Sequence, residues 1–468
     1  MSSFSAELKV PRDQSFGSLI RTFLTDACTR GGLQPQQTSD LIGAAQRVFA
    51  EIAAQDPGES APFMRVAAEC TPERLSIAFL ERAIAPEIEH LDGIDEVHRR
   101  LHGVAGSEIA LSMLRPHDHE AISAPQTAAV EEVEQAPEQE YVIRRFRDED
   151  AEGVARAFYQ TYGFHYPFSA VYVPERLCEL NAAGRYVSIV AESAAGEIVA
   201  HYALHRDRAA APIAEGGGAI VNPAHRGRNL LNRTRAKAEE EAIALGLAAY
   251  YTEPVTDHGR TQHASLSFGA VPCGVILGGA SRDFLARQME LSTTTQRQSF
   301  MSYFKPLRPR EERRIFVPTR HRDIVQRIYD GLRLPVKFAR GARSRRRAHV
   351  GTSIERRDGT ATIKVFQSGG DAAELVAQAA RDLRSARKLG ALYANLPLED
   401  RGTPDLCEHL EQLGFYFSGV APWTLAGGDA LQLQRPLTAL DLSALTVVGE
   451  FGQELLRYVA SERERCSV

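Results

Sequence analysis

Residues 215–246 read EGGGAIVNPAHRGRNLLNRTRAKAEEEAIALG and predict, in succession, a strand, a basic turn and a long helix. The strand contains three consecutive glycines and ends at Val221. The helix repeats apolar and small side chains at a spacing of three and four, and Gly246 is a suitable C-cap. The turn, residues 223–228, contains two arginines. Because the first N–H groups of a helix have no intrahelical partner, this turn predicts an anion site suited to a phosphate.

The turn resembles the pyrophosphate loop of the GNAT acyl-CoA-dependent N-acyltransferases, whose pattern is Arg/Gln-x-x-Gly-x-Gly/Ala. Arg226 matches the first position, whereas Asn229 and Leu231 replace the two small residues. Asn tolerates the left-handed conformation better than most non-glycine residues. The resemblance implies acetyl-CoA or another acyl-CoA as co-substrate. It implies these binding residues: Ala219, Ile220, Val221, Arg226, Gly227, Arg228, Asn229, Leu230 and Leu231. The alternative is an ordinary strand–turn–helix with arginines on its surface.

Composition limits the classes of protein that the chain can form. Its 468 residues correspond to roughly three domains by the usual length relation, and a net charge of −5 disfavours a general nucleic-acid binder. The six cysteines lack metal-ligand spacing, so we expect reduced thiols and no metal site. The N-terminal residues have no apolar core of a signal peptide, and no stretch is long enough to span a bilayer. We therefore expect a cytoplasmic protein without a membrane partner.

The predicted fold class is α/β (α+β), with two successive mixed sheets flanked by helices. Over residues 141–300 the predicted order is β-α-α-β-β-β-α-β-α, the order that the GNAT resemblance implies. Residues 301–440 repeat part of this order, and Leu413-Gly414-Phe415 resembles the closing signature of a GNAT domain. The segment 368–371 is too short and lacks arginine, so we expect this second lobe to be non-catalytic. Residues 441–468 predict a C-terminal helix and tail.

Residues 1–115 predict two amphipathic helices, a hairpin with strands at 63–70 and 75–80, and a further helix near 94–101. This order resembles the GHKL ATPase fold of anti-sigma-factor kinases and histidine kinases, an α/β sandwich. The second helix lacks the Asn that such a kinase needs, and residues 103–106 are a shortened glycine-rich lid. We therefore expect no ATP binding and a degenerate scaffold for a protein partner. An unrelated small α+β domain is the alternative.

Two further segments are low in apolar content. Residues 116–140 are rich in Ala, Pro, Gln and Glu and predict a flexible linker. The arginine run from Arg340 to Arg347 is consistent with a solvated loop or with an anionic partner.

Amine acylation needs a base, a group that polarises the thioester oxygen and a proton donor for the thiolate. Glu215 is the first candidate for the base, because period-two alternation places it on the same strand face as Gly217; a solvated Glu is the alternative. His258 is the second candidate. Ser265 stands where many GNAT enzymes have a Tyr proton donor, but a serine hydroxyl is a poor acid. Tyr251 or water are the other candidates for that role.

Aromatic residues cluster in the segment that a GNAT fold uses for its acceptor pocket. They pack in the core or recognise the acceptor, and the sequence leaves both open; they are Phe164, Tyr166, Phe168 and Tyr172. The function that we predict is N-acetylation of an amine on a small molecule or a protein, with a regulatory N-terminal domain. The alternative is a non-catalytic regulator built on the same scaffolds, and an active anti-sigma-type kinase is disfavoured.

Overall fold

The computed structural model describes residues 4–54, 63–70, 74–81, 94–101, 107–114, 137, 139–162, 166, 168–280, 296–343, 346–355, 359–385, 389–425 and 428–466. Most of the predicted linker 116–140, the predicted lid 103–106, Phe164 and Arg345 lie outside these residues. The described strands form a 17-stranded mixed sheet and a separate two-stranded sheet. Fold class α/β, as predicted, is therefore confirmed.

The N-terminal domain packs two helices on an antiparallel sheet. Its elements are β1 (Phe4–Pro11), α1 (Gly17–Gly31), α2 (Pro35–Ala54), β2 (Phe63–Cys70), β3 (Arg74–Glu81), β4 (Glu96–Leu101) and β5 (Ser107–Leu114). The sheet order is β1-β2-β3-β5-β4. The apolar faces of α1 and α2 form one core with alternate residues of β2 and β3. Helix α1 ends where Gly32 takes the left-handed conformation with φ 69°.

The helix predicted near residues 94–101 is wrong, because residues 96–101 form the strand β4. Val97 and Leu101 are four positions apart, a spacing that places two side chains on one face of a helix and equally on one face of a strand. Antiparallel pairing with β5 makes this segment a strand.

The first lobe, residues 141–306, contains the predicted order of elements and two more strands. They are β6 (Val142–Arg145), α3 (Ala151–Tyr162), α4 (Pro174–Ala182), β7 (Tyr186–Glu192), β8 (Ile198–His205), β9 (Ile213–Val221), α5 (Leu230–Ala244), β10 (Ala249–Thr252), α6 (Arg260–Ser267), β11 (Val271–Ala280) and β12 (Gln298–Pro306). Alternation along β7 and β8 packs one face on α3 and α4 and the other on α5. Strand β12 crosses the domain boundary predicted at residue 300 and pairs with β10 and β11, so it belongs to the first lobe.

The second lobe, residues 307–440, repeats the strand connections of the first. Its elements are β13 (Arg313–Ile315), α7 (Arg322–Leu332), β14 (Val336–Phe338), β15 (His349–Glu355), β16 (Thr360–Gln367), α8 (Ala372–Ser385), β17 (Ala391–Pro397), α9 (Thr403–Gln412), β18 (Tyr416–Leu425) and β19 (Gly428–Pro436). The parallel pair β16–β17 corresponds to β9–β10, and β17 pairs antiparallel with β19 as β10 does with β12. The last helix, α10 (Glu450–Cys466), packs on β11 and β18.

Two contacts join the three parts into one sheet. Strand β4 of the N-terminal domain pairs antiparallel with β15 of the second lobe along six residues. Strand β11 meets β18 at a single pair, Gly274 and Gly419. A Cβ added at Gly274 would lie 3.1 Å from the Ser418 carbonyl oxygen, and one at Gly419 would overlap the backbone of residues 273–274. Only glycine allows the two lobes to approach this closely.

We expect Gly419→Ala to destabilise the protein by about 1–3 kcal/mol, because the added methyl group meets backbone that cannot move aside. Urea unfolding followed by the fluorescence of Trp423, the single tryptophan, measures the change. Gly43→Ala in α2 is the matched control, since a Cβ there has no neighbour within 4 Å. In that helix interior the exchange stabilises by about 0.5–1 kcal/mol, read by circular dichroism. Equal stability of Gly419→Ala and the parent chain would contradict the close approach.

Among the helices that the structure describes, none is long and apolar enough to cross a bilayer.

Candidate active site

Strand β9 separates from its parallel neighbour at the residue predicted as base. The β9–β10 pairing ends at Glu215 opposite Tyr251, while β9 stays paired to β8 as far as Val221. On the side of β10, residues 216–221 therefore have no partner strand among the described elements. An open backbone edge inside a sheet can pair with an extended ligand.

A β-bulge lies within this open edge. The register of β8 and β9 shifts between His201 and Ala203, and Gly218 has a φ of 61°. The Gly218 N–H donates to the Tyr166 hydroxyl at 2.9 Å, and its carbonyl oxygen lies 2.7 Å from His201 Nδ1. A Cβ at Gly218 would lie 2.8 Å from the Tyr186 hydroxyl oxygen. The glycine run thus allows the bulge and the close approach of the Tyr186 hydroxyl.

The basic turn leads from this strand to α5. Gly227 has a φ of 80° and Asn229, the N-cap of α5, a φ of 56°, so Asn229 takes the left-handed conformation that a glycine would take. Its side chain accepts from Asn232 and caps no backbone group of the helix. Arg226 is exposed beside the first helical turn. Tyr141 contacts the turn on its buried side, where the Tyr141 hydroxyl lies 3.0 Å from Nδ1 of the buried His225.

The described part of the turn therefore presents cationic side chains and a helix N-terminus without a side-chain cap. The macrodipole of α5 and the uncapped N–H groups favour an anion at this place.

Two adjoining cavities of about 480 and 650 Å³ lie between the lobes and are named here the inter-lobe cleft. Six residues line both cavities: His205, Glu215 and Glu253 of the first lobe, and Thr362, Asn395 and Gln432 of the second. Gly217 and Gly218 at the open edge of β9 also line the smaller cavity. The open strand edge and the cleft are thus parts of one site.

Burial in the cleft and the neighbouring carboxylate of Asp207 raise the pKa of Glu215 above its ordinary value, although a hydrogen bond from Tyr251 opposes the shift. Burial and the charge of Glu215 likewise raise the pKa of Glu253. The Glu253 side chain keeps contact with solvent, and water offsets part of that effect. Each of the two carboxylates therefore disfavours the ionisation of the other.

The other residues predicted for catalysis lie in different places. Tyr251 lines the larger cavity and donates its hydroxyl to Glu215, so it orients the carboxylate. His258 lines neither cavity of the cleft. Ser265 is 1% exposed, its hydroxyl engages Thr252 at 3.0 Å and the Thr261 carbonyl, and it lies outside the cleft. The structure therefore does not bring Ser265 or His258 together with Glu215.

Part of the predicted aromatic cluster faces the cleft. Tyr166 and Phe168 line the smaller cavity, with Phe168 stacked on Tyr186 at 5.1 Å between ring centroids. Tyr172 is buried in the core of the first lobe, and its hydroxyl accepts from the Tyr166 backbone N–H at 2.9 Å. Tyr166 therefore places its hydroxyl at the bulge, and the sequence predicts this residue in the pocket without a chemical role.

In the second lobe, the turn that corresponds to the anion site is covered by the chain itself. A Cβ added at Gly369 would overlap the backbone of residues 346–348, and the Gly370 N–H donates to the Arg346 carbonyl oxygen at 3.0 Å. The Asp371 carboxylate accepts from the Ala348 N–H at 2.7 Å. Part of the arginine run thus packs directly against this turn, and the non-catalytic character of the second lobe stays a prediction.

One cluster of residues in the described chain has ligand types suited to a metal ion: His321, Cys407 and Glu411. His321 Nε2 lies 2.9 Å from Glu411 Oε1, and the carboxylate also binds Arg465 and Arg320 at 3.0 and 3.1 Å. Two guanidinium groups already neutralise Glu411, which makes the cluster a buried polar network that ties α9 to α10.

In comparisons with known proteins, no family model and no curated protein matches the sequence. Solved structures match part of it. Mutant forms of the spermidine/spermine N-acetyltransferase from Vibrio cholerae show 16% identity over 35% of this chain and 93% of that chain, with a TM-score of 0.28. An N-acetyltransferase from Staphylococcus aureus Mu50 shows 16% identity over 36% of this chain and 99% of that chain, with a TM-score of 0.29.

Proposed function

We propose that the chain is an acyl-CoA-dependent N-acyltransferase, of the kind that the GNAT resemblance implies, and that it acetylates an amine bound in the inter-lobe cleft. The observation that carries the proposal is the continuity of the site. The basic turn, the open edge of β9 and Glu215 follow one another along a single strand and its turn.

The residues that would bind successive parts of an acyl-CoA also follow one another along the chain. Arg226, Arg228 and the first N–H groups of α5 would hold the pyrophosphate. The open edge of β9, residues 216–221, would hold the extended pantetheine arm through backbone hydrogen bonds. When bound, the thioester supplies the acyl group and a thiolate leaving group.

Glu215 acts as the general base in this proposal. An alkyl amine is protonated near neutral pH, and only its neutral form is a nucleophile. Because the pKa of Glu215 is raised, its carboxylate is a better proton acceptor than an ordinary exposed glutamate. Tyr251 orients the carboxylate by its hydrogen bond. Tyr166, whose hydroxyl accepts from the Gly218 N–H at the bulge, is the candidate proton donor in place of Ser265, although burial raises its pKa.

We expect Arg226→Glu to weaken the binding of CoA and acetyl-CoA by about tenfold or more, because the variant loses one attraction to the pyrophosphate and adds a repulsion. Calorimetric titration of both ligands into the full chain measures the effect. Arg21→Glu on the exposed face of α1 makes the same change of charge in the N-terminal domain and is the control. Binding that is absent in the parent chain, or equal in both variants, would contradict the proposal.

We also propose that residues 1–115 are a docking or regulatory module without ATP chemistry, as the degenerate GHKL resemblance implies. Support comes from the pairing of β4 with β15, since β15 also contributes Gly351, Thr352 and Ser353 to the cleft. A partner on the N-terminal domain would thereby act on the wall of the site. We expect slow hydrogen exchange at the β15 amides. Fast exchange along the whole of β15 would exclude an effect of the N-terminal domain on the cleft through this strand.

A further inference from the structure

We propose that the second lobe completes the acceptor site and that the acceptor is a small aliphatic amine with two or more amino groups. This inference rests on the proposed function and names the substrate class of the same site.

The second lobe presents a polar sheet face to the cleft. Along β16, Ala361, Ile363 and Val365 are buried in the core of the lobe, whereas Thr360, Thr362 and Lys364 alternate with them and line the cleft. The neighbouring strands β17 and β19 continue this face with Asn395 and Gln432. Hydroxyl and amide groups that replace apolar ones on an inner sheet face indicate recognition of a polar ligand.

Two amide side chains of this face have unused hydrogen-bonding capacity. Asn395 and Gln432 are direct cross-strand partners of β17 and β19. Asn395 is 7% exposed, lines both cavities and makes no side-chain hydrogen bond to a residue that the structure describes. The Oε1 atom of Gln432 is buried and also has no partner in the described chain. A buried amide oxygen without a donor at Gln432, beside the amide of Asn395, indicates a ligand that brings N–H groups.

The charges around the cleft favour a cation. Carboxylates of Asp207, Glu215, Glu253 and Glu355 line the cavities, against the cationic side chains of Arg208 and Lys364. His205 stays neutral at physiological pH, because burial lowers the pKa of its imidazole. Four carboxylates thus face two cationic side chains, so negative charge is in excess and still remains on Glu253 after Glu215 has taken up one proton.

The negative charge that remains in the cleft determines how many amino groups the acceptor needs. The reacting amine gives its proton to Glu215 and attacks as a neutral group, so it leaves Glu253 without a cation. A second ammonium group on the same molecule matches Glu253 and donates to Asn395 and Gln432. In the reaction an N–C bond forms between the neutral amine and the acyl carbon and the C–S bond breaks. The attacking nitrogen loses a further proton as the amide forms, the thiolate takes up one proton, and the second ammonium group is unchanged.

The test compares 1,4-diaminobutane with 1-aminobutane as acceptors for the full chain with acetyl-CoA, by release of the CoA thiol. We expect kcat/KM to be at least about tenfold higher for the diamine, since only it fills the second polar site. Glu253→Gln should reduce that preference to about onefold, and Asn395→Ala should raise KM for the diamine at least about tenfold with little change in kcat. Gln326→Ala, on the exposed face of α7, is the control and should change neither.

The fluorescence of Trp423, which lines the larger cavity, separates binding from turnover. A diamine that quenches or shifts this emission in the parent chain, and no longer does so in Asn395→Ala, supports the shared site. CoA binding with equal turnover of both amines, or with turnover of neither, overturns this inference and leaves the acyl-CoA site standing. Failure to bind CoA at all overturns the proposed function together with the inference. Asn395→Leu, which keeps about the same volume and removes the amide, replaces Asn395→Ala if the latter does not fold.

Discussion

Replacement of Glu215 by Gln is expected to lower kcat/KM for amine acetylation by about 10²–10⁴-fold, the usual contribution of a general base. The exchange keeps the shape of the side chain and the acceptor for the Tyr251 hydroxyl, and removes the group that takes the proton. The release of the CoA thiol under saturating acetyl-CoA measures the rate. Glu240→Gln on the exposed face of α5 removes the same charge outside the cleft and should keep the full rate.

The pH profile distinguishes loss of a base from loss of structure. Because the pKa of Glu215 is raised, the carboxylate is protonated below that pKa and cannot accept the amine proton. The kcat/KM of the parent chain should therefore fall as the pH is lowered through the raised pKa, well above the range of an ordinary glutamate. In Glu215→Gln this fall of kcat/KM at low pH should be absent. If Glu215→Gln keeps a rate within about threefold of the parent chain, and its kcat/KM still falls over the same pH range, another residue is the base.

Much of the first lobe could be predicted because its signals are local. The glycine run, the turn at Arg226 and the helix that follows are contiguous, and each element is specified by its own residues. Asn229 departs from the family pattern but keeps the backbone conformation that the pattern requires, as its φ of 56° shows.

The opposite wall of the cleft could not be predicted, because it depends on the packing of distant parts of the chain. Asn395 and Gln432 have ordinary strand surroundings in the sequence, and only the pairing of β17 with β19 and the contact at Gly274 and Gly419 bring them to Glu215. Glu253 follows a strand of four residues and carries no motif. The family pattern predicts Ser265 as the proton donor, but its side chain packs against Thr252 of β10.

The second lobe also contains a buried charge cluster that no local pattern predicts. Asp429 is fully buried and accepts from Arg310 at 2.7 and 2.5 Å, from the Tyr329 hydroxyl at 2.6 Å and from the backbone N–H of Trp423 at 3.1 Å. The Arg310 guanidinium also lies 4.7 Å from the Trp423 ring centroid. Trp423 itself has a φ of 57°, which is unfavourable for a bulky side chain and persists only where its surroundings hold it.

We expect Asp429→Ala to destabilise the second lobe by about 3–5 kcal/mol, because it leaves Arg310 buried without its counter-ion and the Trp423 N–H without its acceptor. Urea unfolding followed by Trp423 fluorescence reports on this lobe, and the emission of the native variant should also shift as the indole loses its support. Asp26→Ala breaks an exposed ion pair with Arg30 and should cost less than about 1 kcal/mol, read by circular dichroism. The difference arises from desolvation. At the surface, water replaces the carboxylate that Arg30 loses, whereas in the core nothing replaces the carboxylate that Arg310 loses. A loss below about 1 kcal/mol at Asp429 would mean that solvent reaches Arg310 after the exchange, and the strained Trp423 would then need another source of support.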